Sequence, residues 1–243
     1  MGAPAYQEAL PLQLGDRLDF STLVPGPNER AVRLLRDAVS RRANELFFVF
    51  GPASVGKTHL LQALHRLACG SGGAGLYIDV RQVRPLDPAL LGFELPGAAL
   101  VDNADAAAGD PAWELALFGL YNRWYDRRSG TLVLSASSSY DRIGFLRPDL
   151  ATRLGSGVSL PLEYLDEAQC AEALCRRARG RGLNLPDATA LFLVRHLNRD
   201  MGSLAGILAR LDREGLRERR QLTVPFVKRV LRLQPPGATS PAG

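Results

Sequence analysis

Lysine is almost missing from this 243-residue chain: Lys57 and Lys228 are the only two, and the other 28 of its 30 basic residues are arginine. Arginine offers a planar fork of donors, whereas an ammonium is a compact point charge. A lone lysine in an arginine-rich sequence therefore marks a place that needs the compact cation. Cysteine is scarce too. Cys69, Cys170 and Cys175 are odd in number and no pair has C-x-x-C spacing. That excludes a disulfide framework and a zinc module, and predicts reduced, partly buried thiols in a cytoplasmic protein. No apolar run approaches the ~20 residues of a membrane span. The N-terminus lacks a charged-then-apolar leader pattern, so no membrane partner is expected. No internal repeat is visible.

Against these absences stands one dense stretch, Glu45 to Cys69. An apolar run, Leu46 to Phe50, reads as a buried strand. Gly51, Pro52, Ala53, Ser54, Val55, Gly56, Lys57 and Thr58 follow at once as G-x-x-x-x-G-K-T, and a helical pattern with Leu60, Leu61, Leu64 and Leu67 comes next. This is the strand–loop–helix context of a P-loop. Its glycines let backbone N–H groups close around phosphate oxygens, and the helix N-terminus adds partial positive charge. Lys57 would reach the β- and γ-phosphates, and Thr58 would bind Mg2+ beside ADP or ATP.

The flanking pattern alternates strands with helices. Turn chemistry at Pro25-Gly26-Pro27 precedes a helix with Val32, Leu35 and Val39 inward, ending near Arg41 and Arg42. Further strands are expected at Leu76 to Val80, Ala98 to Asp102, residues 131–137 and 157–162. Asp110 with Pro111 opens a helix whose face is Trp113, Leu117, Leu120 and Trp124. Such alternation predicts an α/β fold, a five-stranded parallel sheet with helices on both faces. From about Pro161 only helices are expected, starting at a capping box of Asp166 and Gln169. The expected organisation is a flexible segment over 1–19, a nucleotide-binding base domain over 20–160, a small all-helical lid over 161–233 and a disordered tail over 234–243.

A P-loop needs an acid at the end of a neighbouring strand to hold magnesium, and Asp102 is that candidate. The next position, where a second acid often activates water, is Asn103, which cannot accept a proton; slow hydrolysis is expected. Asp105 is a less direct substitute. Ser135 and Ser137 end the fourth strand, where a polar group could sense the γ-phosphate or simply form a loop. Arg153 sits just before the fifth strand. It reads either as an arginine finger acting in trans on a neighbour's phosphate or as a fold-stabilising salt bridge.

Charge is uneven. Residues 1–160 carry 16 basic and 16 acidic groups, whereas residues 161–233 carry 14 basic and 9 acidic. The excess suits either an anionic partner or the solvated face of an arginine-rich bundle. Near the start, Gln7, Leu10, Pro11 and Leu12 form a polar hook with apolar anchors, suited to a groove on a partner or to a plain flexible end.

Taken in order, the P-loop, VDN, the polar strand end, PDLATRL and the all-helical region resemble AAA+ ATPases. FSTLVPGPN, GDPAWELALFGLYNR, RPDLATRL and LTVPFVKRVL are similar to the DnaA branch, nearest the Hda group of replication regulators, over roughly residues 7–233. The resemblance implies an AAA+ P-loop fold with a lid. It also implies a sliding-clamp-binding role for Gln7 to Leu12, with Glu8 standing where leucine is usual. Arg153 is implied as the arginine finger. The short 81–97 connection and the end near Leu233 depart from initiators, which carry extra helices and a helix-turn-helix domain. The family's sensor II arginine is matched by Gly202, leaving Arg199 as a substitute. The expected role is a regulator of replication initiation that binds the DNA polymerase sliding clamp. It would stimulate hydrolysis of ATP held by a DnaA-type initiator, meeting DNA indirectly through the clamp. A freestanding ATPase forming a homo-oligomer and a loader-like single-strand DNA binder are the alternatives.

Overall fold

The computed structural model describes residues 18–232, apart from 71–72, 96, 129, 198–200 and 219. Gln7 to Leu12, Arg199 and the tail from 234 lie outside the described residues.

Five parallel strands form one sheet: β1 (Leu46–Phe50), β2 (Gly75–Asp79), β3 (Ala98–Asp102), β4 (Thr131–Ala136) and β5 (Val158–Pro161), in the order β2-β3-β4-β1-β5. The central strands are buried on both faces, which is why they read as continuous apolar runs. β1 shows the alternation directly. Leu46 and Phe48 join one core with Val101, Leu132 and Leu134, and Phe47 and Val49 join the other with Leu100 and Val133.

Helices cover each face. On one lie α1 (Glu29–Arg41) and α2 (Lys57–Gly70). A one-turn α3 (Val80–Val83) follows β2, and a 3-10 turn, Pro88–Gly92, completes the short connection to β3. The other face carries α4 (Pro111–Arg127) and α5 (Pro148–Leu154). α4 starts where expected: the Asp110 carboxylate accepts from the backbone N–H of Ala112 at 3.0 Å and Trp113 at 3.3 Å. In α1 the buried face is Ala31, Leu35, Ala38 and Val39, with Val32 only half-buried. The small alanines allow close approach to the sheet, a role that reading for large apolar residues overlooks.

The remaining helices are α6 (Glu167–Gly180), α7 (Asp187–His196), α8 (Met201–Glu218) and α9 (Val224–Leu231), which close around a third core including Leu174, Leu193, Leu208 and Phe226. α6 has the expected capping box, with Asp166 and Gln169 each bonding the other's backbone N–H. Cys170 and Cys175 are buried in this core, but Cys69 is exposed, contrary to its expected partial burial. It lies at the end of α2, beyond the stripe that faces the sheet. Among the described residues no helix is long and apolar enough to cross a membrane.

One clasp fixes the lid's entry. The Asn28 side chain donates to the Glu163 carbonyl and accepts from its N–H, both at 2.8 Å. Gly26 has φ +53°, and a Cβ there would come within 2.5 Å of Leu165. The turn therefore needs glycine to pass beneath the lid.

Candidate functional site

The P-loop leaves the C-terminal end of β1 and wraps into α2. Gly56 has φ +108°, and a Cβ there would meet nothing within 4 Å, so the loop opens onto free space at that point. Gly51, at φ +158°, has no such room: a Cβ would lie 2.7 Å from the Leu162 carbonyl oxygen. Ser54 takes the left-handed region at φ 61°. Together these residues curl the backbone into the concavity that an anion site requires.

Lys57 is buried, and its ammonium donates to the carbonyls of Gly51 at 2.7 Å and Pro52 at 2.8 Å. Burial lowers its pKa below the usual lysine value, while the charges of Asp102 and Asp105 oppose that shift. Thr58 is exposed in the first turn of α2.

β4 lies between β1 and β3, so the strand ends bring three polar groups together. Asp102 is fully buried. Its Oδ1 accepts from the Ser135 hydroxyl and from the Asn103 N–H at 3.1 Å, and its Oδ2 from the Tyr77 hydroxyl at 2.9 Å. Burial first, then the Asp102 charge, raises the Tyr77 phenol above its ordinary pKa. Tyr77 therefore remains a hydrogen-bond donor to the acid. Ser137 donates to Asp105 Oδ2 at 2.5 Å, and its backbone N–H does so at 3.2 Å. Both strand-end serines thus hold acids. The other Asp105 oxygen, Oδ1, is buried without a hydrogen-bond partner.

Asn103 gives this group its backbone N–H, but its side chain binds elsewhere. It adopts φ 53°, and its side-chain amide donates to Asp79 Oδ1 at 2.9 Å. Asparagine tolerates the left-handed region better than most residues, so it serves the turn after β3 as well as differing from an acid in chemistry.

Arg153 lies elsewhere. It occupies the last turn of α5, with its guanidinium 4.3 Å from the Phe118 ring centre and 5.4 Å from that of Tyr121. It also donates to the Asn122 side-chain oxygen. The groove beside it is lined by Asn44, Glu45 and Leu46, where β1 begins. Five strand residues at about 3.3 Å each put the groove and the P-loop roughly 15 Å apart along β1. No salt bridge to Arg153 occurs among the described residues.

The loop that leads into the helix of Arg153 is held by a residue that sequence reading missed. Glu114, fully buried in the first turn of α4, accepts at 2.9 Å from each of three backbone N–H groups: Gly109 and Leu146 at Oε1, Arg147 at Oε2. It anchors the segment that enters α5. An acid near a helix start looks like routine dipole compensation in sequence.

A second cavity opens between the loop before α1, the P-loop and the lid. Its lining includes Val24, Asn28, Val55, Gly56, Tyr164 and Arg177. The Tyr164 hydroxyl donates to the Ala53 carbonyl at 3.1 Å, tying the lid's approach to the P-loop. Among the described lining residues none comes from α8, the helix of Gly202.

Comparisons with known proteins agree with this geometry. The Hda lid domain family matches residues 166–231. Domain III of the Thermotoga maritima replication initiation protein DnaA superposes with a TM-score of 0.77 at 18% identity, over 88% of this chain and 95% of that one. AMPPCP-bound DnaA from Aquifex aeolicus gives 0.64 at 18% identity, over 81% of this chain and 68% of that one. The Thermotoga maritima RuvB Holliday junction branch migration motor gives 0.62 at 14% identity, over 84% and 67%. The fold is α/β AAA+, a five-stranded parallel sheet followed by a helical lid.

Proposed function

We propose that this chain, a DnaA-related AAA+ protein with an Hda-like lid, is an adaptor that regulates replication initiation by completing a partner's ATPase site. The observation that carries the reading is the position of Arg153. Its guanidinium is stacked and hydrogen-bonded at the start of β1, while the P-loop leaves that strand's far end. A cation so placed is remote from its own nucleotide site and suited to stabilising charge on a γ-phosphate held by a neighbour.

The residues present fit a magnesium nucleotide. Gly51 to Thr58 would cradle the phosphates, with Lys57 on the β- and γ-oxygens and Thr58 on Mg2+. Both Asp102 oxygens already accept protein hydrogen bonds, which suits a metal contact through water. Bound Mg2+ would supply charge neutralisation on the phosphates. Binding ADP or ATP with slow intrinsic turnover follows from the absence of an acid at Asn103. The neighbour from Aquifex aeolicus is a DnaA bound to AMPPCP, which supports an adenine nucleotide here as well.

Docking on the sliding clamp through Gln7, Leu10, Pro11 and Leu12 completes the reading and would bring the protein to DNA indirectly. A self-assembling ATPase is the second reading. It is favoured by Asp105, whose unpartnered oxygen could hold attacking water. The loader-like reading draws less support, because Arg176, Arg195 and Arg229 of the basic lid are paired with Glu172, Glu167 and Glu218.

The test is ATP turnover by a DnaA-type initiator in the presence of DNA-loaded clamp. Arg153→Ala should keep folding, ADP binding and clamp binding yet lose nearly all stimulation. Arginine fingers contribute about 10³–10⁵ in rate in well-studied phosphoryl transfer. Arg153→Lys should also largely fail, since a point charge does not reproduce the fork. Stimulation by Arg153→Ala equal to the parent's would make the arginine structural.

A further inference from the structure

We propose that His65 and Cys69, one turn apart on α2, form with the Gly75 carbonyl a site for a sulfur-binding divalent cation of the zinc class. The site is separate from the P-loop and does not depend on the nucleotide reading.

Cysteine spacing rules out a closed zinc module, yet a helix needs only one imidazole and one thiol four residues apart to bring both to one face. His65 is half-buried and Cys69 exposed. Their donor atoms converge, with Cys69 Sγ 3.6 Å from His65 Nε2. A tetrahedral ion at the usual ~2.0–2.1 Å from nitrogen and ~2.3 Å from sulfur spans those two ligands by about 3.5 Å. The pair is therefore already at chelating separation. A third donor faces the same point. The Gly75 carbonyl, at the start of edge strand β2, lies 3.2 Å from Nε2 and 4.0 Å from Sγ. The matching tetrahedral edges are about 3.4 and 3.6 Å, so shifts well under an ångström complete three-point binding. Gly75 lets the strand come this near: a Cβ there would lie 3.1 Å from the His65 ring.

The surroundings choose the kind of ion. The pocket over the pair is lined by Gln62, Arg66 and Tyr77 as well, which leaves room for water as a fourth ligand. Arg66 disfavours a hard cation held by charge alone. Among the described residues no three His, Cys, Asp or Glu side chains gather as a metal set, so binding depends on the sulfur. Thiolate and imidazole together favour zinc-class ions over Mg2+ or Ca2+. On binding, the thiol S–H bond breaks, its proton passes to solvent and a sulfur–metal bond forms. The ring proton then resides on Nδ1, and Nε2 changes from a donor toward the carbonyl into a ligand. Donors from α2 and β2 would tie the P-loop helix to the strand that carries Tyr77 and Asp79.

The experiment titrates the reduced, chelator-stripped full chain, free of nucleotide, with Co2+ and then Zn2+. The parent should take up one Co2+ with a sulfur-to-metal charge-transfer absorption, and Zn2+, the tighter binder, should bleach it. Cys69→Ser should lose the absorption. His65→Ala should weaken binding roughly tenfold or more, because a single side-chain donor replaces a chelate. The double variant should bind scarcely worse than either single one. Neither side chain is buried, so thermal unfolding in chelator should match the parent's, while Zn2+ should raise Tm in the parent alone. Equal Co2+ affinity in the parent and in His65→Ala would overturn the proposal and leave Cys69 an isolated thiol. Uptake without the sulfur absorption, undiminished in Cys69→Ser, would overturn it as well and place the ion at the acids beside the P-loop.

Discussion

Replacing Glu114 with glutamine tests whether one buried carboxylate sets the position of α5 and hence of Arg153. Glu114 is fully buried and receives three backbone N–H groups, from Gly109, Leu146 and Arg147. Glutamine has nearly the same shape but only one acceptor oxygen. At Oε1 that oxygen can satisfy two donors, which leaves the amide NH2 facing the Arg147 N–H. At Oε2 it satisfies one and opposes two. Either way at least one buried donor is stranded, at a cost of about 1–3 kcal/mol, and the remaining bonds lose charge assistance. A total of about 2–4 kcal/mol follows, or roughly 5–15 °C in Tm for a chain of this size. Thermal unfolding followed by circular dichroism reads the loss directly. Glu94→Gln is the control, since Glu94 is exposed and such changes stay within about 0.5 kcal/mol. The variant should also weaken Arg153-dependent stimulation below the melting range, because the entry to α5 is no longer pinned. A Tm within 2 °C of the parent would refute the anchoring role.

The remaining predictions concern the two ends of the molecule and its thiols. Lys57→Ala should abolish ADP binding measured by calorimetry, with little change in fold, since Lys57 bonds only loop carbonyls among the described residues. Deleting residues 1–12 should remove clamp binding in a pull-down while nucleotide affinity and Tm stay unchanged; retention equal to the parent's would place the contact elsewhere. A thiol reagent at pH 8 should titrate one fast group, Cys69, before unfolding and two more after it. Burial, with Asp187 nearby, pushes the Cys175 thiol up to about 11. At pH 8, three units below, only about a thousandth is thiolate even before access is considered. Three fast groups would show that the lid core is open.

The sheet was legible in the sequence because each of its strands carries its own signal. LFFVF and AALVD are apolar without interruption, as strands covered on both faces must be. Asp110 and Asp166 announced their helices through short-range capping chemistry that needs no tertiary context. Site details set by strand register stayed hidden. Tyr77 reaches Asp102 because β2 pairs in parallel with β3, Asp79 opposite Asp102; nothing in LYID states that register. Asn103 could be read as a missing acid, but its left-handed backbone and its bond to Asp79 could not. That bond also changes a simple expectation. A glutamate at 103 would meet the Asp79 carboxylate and a strained φ together, so it would not merely restore an acid. Arg177, the arginine among the described lining residues of the P-loop cavity, was invisible for a different reason: in a chain with 30 basic residues, no local pattern separates it from the rest.

β1 separates two kinds of chemistry in this reading, and its shortness makes the separation economical. At its C-terminal end the strand delivers a loop that holds a nucleotide for the protein itself. The acids there are restrained by Tyr77, Ser135 and Ser137, an arrangement suited to retention more than to rapid turnover. At its N-terminal end the same strand borders the groove of Arg153, whose guanidinium packs on Phe118 and Tyr121 of α4 and donates to Asn122. No described hydrogen bond or ion pair joins Arg153 to Lys57 or Asp102, so loss of nucleotide need not misplace the arginine by a direct contact. Any effect of bound nucleotide on a partner must then act through the rigid sheet or through the lid, where Asn28, Tyr164 and Arg177 meet the loop. The lid is the more responsive route, because it has a core of its own, whereas the sheet is packed continuously against the helices on both of its faces.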